Sequence, residues 1–210
     1  MVTDELQARW AWLAVALANP PGISTIGDGL LASWTQPHRA YHDAVHLLAV
    51  LHRIEDLAEH ATDLRAVRLA AWYHDAVYDG APDDEERSAQ RAAAELGAAG
   101  LDPALVAEVA RLVRLTMHHD PAPEDRNGET LCDADLAILA APAADYAAYT
   151  RAVRAEYVHV DDAAFRAGRA AVLQSLLDLP QLFRTSVGRT DWEPQARANL
   201  RAELTELHGR

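Results

Sequence analysis

Proline and glycine cut this chain at regular intervals, and the stretches between them repeat their apolar residues at helical spacing. Alanine is abundant and runs of Val, Ile or Thr are scarce. That bias favours helix, because alanine loses no side-chain entropy there and β-branched residues do. The spacing predicts helices over about Asp4–Ala18, Asp28–Trp34, Tyr41–Ala58 and Leu64–Tyr78, each stopped by a turn signature. Further helices are expected from just after Asp83 to Leu96, from Asp102-Pro103 to about His118, and near Leu131–Leu139. Three more follow, over Pro142–Val158, Asp161–Leu179 and Pro194–Leu207. Asp120–Gly128 and Phe183–Trp192 read as loops. The fold class is therefore all-α, a bundle of about eight to ten helices. With 210 residues, half of them apolar, a single domain over 1–210 with a sizeable core is expected.

A formal net charge of −13 sets the partners. So acidic a surface repels phosphate polymers, which excludes general nucleic-acid binding. A small anionic substrate stays admissible, since a bound cation and a few arginines reverse the field locally. One cysteine, Cys132, excludes an intrachain disulfide framework and suits the cytoplasm. It reads as a small buried hydrophobe. The N-terminal stretch carries Asp4 and Glu5 rather than a basic signal region. No apolar run reaches the roughly 20 residues of a membrane span, so no membrane partner is expected.

The chemistry concentrates around one doublet. His74 continues the apolar stripe of Val67, Ala70 and Ala71, so it points inward, with Asp75 beside it. Alone, such a pair is more often a structural hydrogen bond than a ligand pair. Two companions change the balance. His46 shares a stripe with Val50, Ile54 and Leu57, and Asp135 adjoins Leu136, Ile138 and Leu139. Inward imidazoles and carboxylates from three helices are costly to bury unpaired, and one divalent cation satisfies all four. The mixed donor set suits Mn, Fe, Co, Ni or Zn, with Mg also admitted.

The order His46, His74-Asp75, Asp135 resembles the H…HD…D signature of the HD superfamily of metal-dependent phosphohydrolases. Pro37-His38-Arg39-Ala40-Tyr41-His42, Trp72 to Asp79, Asp133-Ala134-Asp135-Leu136 and Arg154-Ala155-Glu156-Tyr157 are similar to a bacterial subgroup of predicted HD phosphohydrolases. The resemblance covers roughly residues 35–205. It implies an HD-like helical bundle, a divalent metal held by His46, His74, Asp75 and Asp135, and hydrolysis of a small phosphomonoester or nucleotide by a water that the metal acidifies.

Several residues are candidates for the remaining roles. His42 lies four residues before His46, which on a helix puts both on one face, facing metal or substrate. His118 and His119 are candidates for proton transfer, for substrate phosphate or for a second metal; a solvated helix end is the plainer alternative. Within the acidic run after the doublet, Glu85 and Glu86 are candidate bases alongside Asp75, although such runs usually just open helices. Arg39, Arg154, Arg166 and Arg169 offer the planar fork that matches phosphate, though Arg154 with Glu156 and Arg166 with Asp162 can equally be salt bridges. Tyr41, Tyr73 and Tyr157 either orient ligands or pack the core. The rival functions are a di-iron HD-type oxygenase and a binding module that keeps its metal as a structural clip. A small phosphorylated substrate is the expected partner, and a homodimer is an admissible assembly.

Overall fold

The structure, a computed structural model, describes residues 1–209. Among them the chain is all-helical, with ten α-helices and no strand. The helices are α1 (Val2–Ala16), α2 (Ile23–Trp34), α3 (Ala44–Asp56), α4 (Leu64–Tyr73), α5 (Asp84–Ala98), α6 (Pro103–Leu115), α7 (Arg126–Leu136), α8 (Ala143–Glu156), α9 (Asp162–Asp178) and α10 (Glu193–His208). A 3-10 turn occupies Ala137–Ala140 and a π-helical turn Gly188–Trp192. No described helix is long and apolar enough to cross a membrane. The chain divides into two compact units, Met1–Ala134 and Asp135–Arg210, and the division falls within α7.

Side-chain caps explain where several helices begin. Asp43, Asp63, Asp102 and Asp161 each accept hydrogen bonds from the first free N–H groups of α3, α4, α6 and α9. These groups have no partner within the helix, so a carboxylate one step upstream fixes the start. Asp43 thus starts α3 at Ala44 and not near Tyr41. His42 lies outside the helix, and the shared helix face expected for His42 and His46 does not exist. Gly22, at φ 77°, starts α2 at Ile23, five residues before the expected Asp28.

Other boundaries moved for equally local reasons. α6 ends at Leu115 because Thr116 turns its hydroxyl back to the Val113 carbonyl, 2.8 Å away, and His119 adopts a left-handed φ of 49°. The His119 N–H then closes on the Leu115 carbonyl at 2.9 Å, a helix-ending bond that places His118 and His119 beyond the helix. α7 starts at Arg126, inside the stretch read as a loop, where Asn127 accepts from Thr62 and from the Asp63 N–H. The loop expected over Phe183–Trp192 contains the π-helical turn.

The first unit buries large side chains from most of its helices, among them Leu6, Leu30, Trp34, Leu47, Trp72 and Leu112. Within it α6 packs on both α4 and α5. α1 approaches α2 closely, since a Cβ on Gly27 would stand 2.2 Å from the Trp10 indole nitrogen. That nitrogen donates to the Ile23 carbonyl at 2.9 Å. In the second unit Leu173, Phe183, Ala196 and Leu200 form the centre of a separate core, with α10 against α9.

Candidate metal centre

His46 stands in the first turn of α3, its backbone N–H held 3.2 Å from the Asp43 carboxylate that caps the helix. His74 follows the last residue of α4, and Asp75 follows it into an irregular segment. The doublet therefore sits just past the helix end at Tyr73, whereas the apolar periodicity extends to Tyr78. Both imidazoles are buried, and the Asp75 carboxylate retains 15% exposure.

Three donor atoms converge here. His46 Nε2 and His74 Nε2 are 3.2 Å apart, and His74 Nε2 is 3.3 Å from Asp75 Oδ2. Ligand atoms of all three residues lie within 4.8 Å of one another. Two donors bound to one first-row cation at about 2.0–2.2 Å, with an angle of about 90–110° between them, would stand about 2.8–3.6 Å apart. The 3.2 and 3.3 Å separations that His74 Nε2 makes fall in that range.

The protonation pattern points the same way. His74 Nδ1 lies 2.8 Å from the Ala71 carbonyl, which can only accept, so Nδ1 carries the proton. In the neutral ring Nε2 then presents a lone pair toward a carboxylate oxygen and a second imidazole nitrogen. A protonated His46 Nε2 can donate into that lone pair, whereas a cation among the three would engage all of the donor atoms at once. An imidazole that fixes its far nitrogen on a backbone carbonyl is also the usual arrangement of a metal-binding histidine. The donor set fits a divalent transition metal.

Aromatic rings wall the group. Trp34 is fully buried, with its ring centroid 5.2 Å from that of His74 and 6.2 Å from that of His46. Tyr41 lies 4.7 Å from His46 on the same measure, and His42 stacks on Tyr78 at 4.3 Å. His42 is half-buried beside His46.

The segment after His74 has no regular secondary structure, yet side chains hold it residue by residue. Arg39 Nη1 donates to the Asp75 carbonyl at 2.8 Å, and Arg91 Nη1 to that of Ala76 at 3.2 Å. The Ser88 hydroxyl accepts from the Val77 N–H at 3.0 Å and sits 3.3 Å from the Val77 carbonyl. His38 Nε2 donates to the Tyr78 carbonyl at 2.9 Å. Asp84 accepts from the N–H groups of Asp79 and Ala81, at 2.8 and 3.0 Å. Sequence reasoning missed this support. A signal for it was present: Asp84, Ser88, Arg91 and Glu95 recur at four, three and four residues, a polar stripe on a helix whose other stripe is Ala89, Ala92 and Leu96.

The other expected site residues have these positions. Arg39 is buried; besides Asp75 it donates to the His42 carbonyl at 2.9 Å and to Gln36 at 3.2 Å. Glu85 is half-buried in the first turn of α5. Glu86 forms a two-pronged pair with Arg114, whose hydrogen bonds hold its carboxyl down at about 2; such a carboxylate is a weak base near neutrality. His118 is exposed and His119 half-buried. Asp135 is half-buried and opens the second unit. In that unit Arg154 closes the end of α8, donating to the Tyr157 and Val160 carbonyls and to Asp162. Arg169 donates to Glu203 and to the Tyr149 hydroxyl.

Comparison with known protein families, with curated proteins and with solved structures finds no match.

Proposed function

We propose that this chain is a metal-dependent phosphohydrolase of the HD type, acting on a small phosphomonoester or nucleotide. One observation carries the reading: His46, His74 and Asp75 bring two imidazole nitrogens and a carboxylate oxygen to the spacing of ligands around one cation. Asp135, expected as a fourth donor, belongs to the second unit, and the reading rests on these three residues. With these three residues as its protein donors, a bound ion would have positions left for water and substrate. When bound, the divalent ion supplies Lewis acidity, drawing charge from a phosphoryl oxygen and making a water easier to deprotonate.

The chain's own groups do the rest. Asp75, on the exposed side of the pair, orients the attacking water through its carboxylate. His74 keeps a fixed tautomer because Nδ1 is committed to Ala71. Trp34 covers one side of both imidazoles and excludes bulk water there. His42, half-buried next to His46, is the residue that meets the substrate in this reading. Glu85, His118 and His119 are the proton acceptors to test first, since Glu86 is committed to Arg114. The cytoplasm is the compartment that goes with this reading and with the lone, buried Cys132.

Metal analysis of protein purified without chelator or metal-affinity resin tests the proposal, paired with a phosphatase screen in added Mn, Co, Ni, Mg and Zn. The expected outcome is about one tightly held ion per chain, with phosphate release that needs no dioxygen. His74→Ala and Asp75→Ala should each lose both. Unchanged metal content in those variants would reject the assignment. Two irons per chain with substrate-dependent oxygen uptake would replace hydrolysis with oxygenation.

A further inference from the structure

We infer that Arg39, together with Ser88 and Arg91, is a set of positioning residues that fixes Asp75 relative to His46 and thereby sets the affinity of the metal centre without touching the ion. This rests on the metal reading above and extends it to the residues that hold the ligands.

His46 enters the site from a capped helix, and His74 follows directly from another. Asp75 has no such support, because α4 ends at Tyr73 and the next helix starts at Asp84. A ligand on an irregular segment reaches the ion only in the fraction of conformers that aim it correctly, and apparent affinity falls by that fraction. Something must raise that fraction, and the contacts to the segment from Asp75 to Val77 are of the kind that does. Each of these three residues has a backbone group tied to a side chain from elsewhere in the first unit.

Arg39 does more than hold one residue. Its Nη1 nitrogen has two hydrogens; one goes to the Asp75 carbonyl and the other to the His42 carbonyl, at 2.8 and 2.9 Å. His42 precedes the Asp43 cap of the helix that carries His46. A single nitrogen therefore ties together the two chain segments that present Asp75 and His46. The guanidinium itself is fixed, with its central carbon 5.4 Å from the ring centres of both Trp34 and Tyr78 and with Nε on Gln36. Lysine cannot reproduce this, since a point-charge ammonium lacks both the planar fork and the stacking face.

On the far side, α5 supplies Ser88 and Arg91 from one stripe. The Ser88 hydroxyl serves both the N–H and the carbonyl of Val77, as a neighbouring backbone would. Arg91 is itself fixed by Glu95 and by the Ser33 hydroxyl, both at 2.8 Å. Groups that orient ligands from behind typically change metal affinity about 10- to 100-fold when removed.

Cobalt(II) is the probe, because its visible absorption reports coordination as well as binding. Wild type, Arg39→Lys, Ser88→Ala and Arg91→Lys are titrated with cobalt(II), and folding is followed by circular dichroism and thermal unfolding. Arg111→Lys, which alters a Glu108–Asp125 network elsewhere in the same unit, is the control. The expected result is that the first three variants stay helical, bind cobalt about 10- to 100-fold more weakly and show a changed absorption band. Arg111→Lys should match wild type in affinity and spectrum. Folded Arg39→Lys and Ser88→Ala proteins with wild-type affinity and spectrum would overturn the inference and leave the metal centre standing. Equal weakening in Arg111→Lys would also overturn it, by assigning the effect to general loss of stability. Should Arg39→Lys fail to fold, Ser88→Ala decides, as it removes one hydroxyl; failure of that variant to fold would make Ser88 a support of the fold and reject the role. A wild type that does not bind cobalt rejects the metal reading itself.

Discussion

Trp34 joins packing to chemistry in one side chain. Its ring lies against both imidazoles, and its indole N–H donates to the Trp72 carbonyl at 2.9 Å, in the last turn of α4. That carbonyl is among those a helix end leaves without an internal partner. Trp34→Phe keeps an aromatic wall but strands a buried acceptor, at a cost of about 1–3 kcal/mol. Urea unfolding should show the loss, with the slope unchanged; equal midpoints for the two proteins would refute it. The residue scale is also where the sequence was most readable. His46 and His74 could be assigned to the interior because each falls on an apolar stripe, and both are buried. Arg39 offers a phosphate-matching fork, yet its Nη1 is taken up by two backbone carbonyls and its Nε by Gln36. Nothing in the spacing of a lone arginine before a helix distinguishes those two uses.

At the scale of elements, helix identity was legible and helix ends were less so. The apolar period locates α3, α4 and α6 correctly, but it runs on past the point where side chains take over the backbone groups. α4 stops at Tyr73 because the N–H groups that would have continued it are bonded to Ser88 and Asp84, eleven and five residues farther along the chain from their partners. A periodicity argument sees only local spacing, so competition from another helix is invisible to it. The junction of α6 with α7 adds a prediction in pH. Arg111 donates to Glu108 and to Asp125. The Arg111 hydrogen bond holds the Glu108 carboxyl below its usual range. At Asp125 burial pushes the other way, but Arg111 and the Gly128 N–H outweigh it and the carboxyl again titrates low. In the unfolded chain both groups titrate near 4. Their lowered folded values therefore favour the fold above that pH, and the advantage is lost as the pH falls through the folded values. Arg111→Ala should shift the urea midpoint downward clearly at pH 7 and much less at pH 3. A penalty of the same size at both pH values would contradict this.

On the scale of the whole molecule, a net charge of −13 makes a bound cation favourable beyond its local ligands, and it disfavours any phosphate polymer. Binding to the folded state alone is worth RT ln(1 + [L]/Kd), about 2.7 kcal/mol with the ion at 100 times its Kd. Thermal unfolding with and without added cobalt(II) or manganese(II) should therefore differ by several degrees, and a chelator should erase the difference. His74→Ala should show no ion-dependent shift. A shift that survives in this variant would locate the stabilising ion elsewhere on the acidic surface.

The side-chain clamp beside the metal centre also has a signature in time. Amide protons in an irregular surface segment ordinarily exchange with solvent within seconds, because nothing closes over them. Here the Val77, Asp79 and Ala81 amides point at a serine hydroxyl and an aspartate. Their exchange into deuterium should be slowed to rates otherwise found inside helices, since each must break a hydrogen bond before it can react. Asp79 is the telling position, exposed at the surface and yet expected to keep its proton. Ser88→Ala should release the Val77 proton first while leaving those of Asp79 and Ala81 protected by Asp84, so a loop without secondary structure would open in steps, one latch at a time.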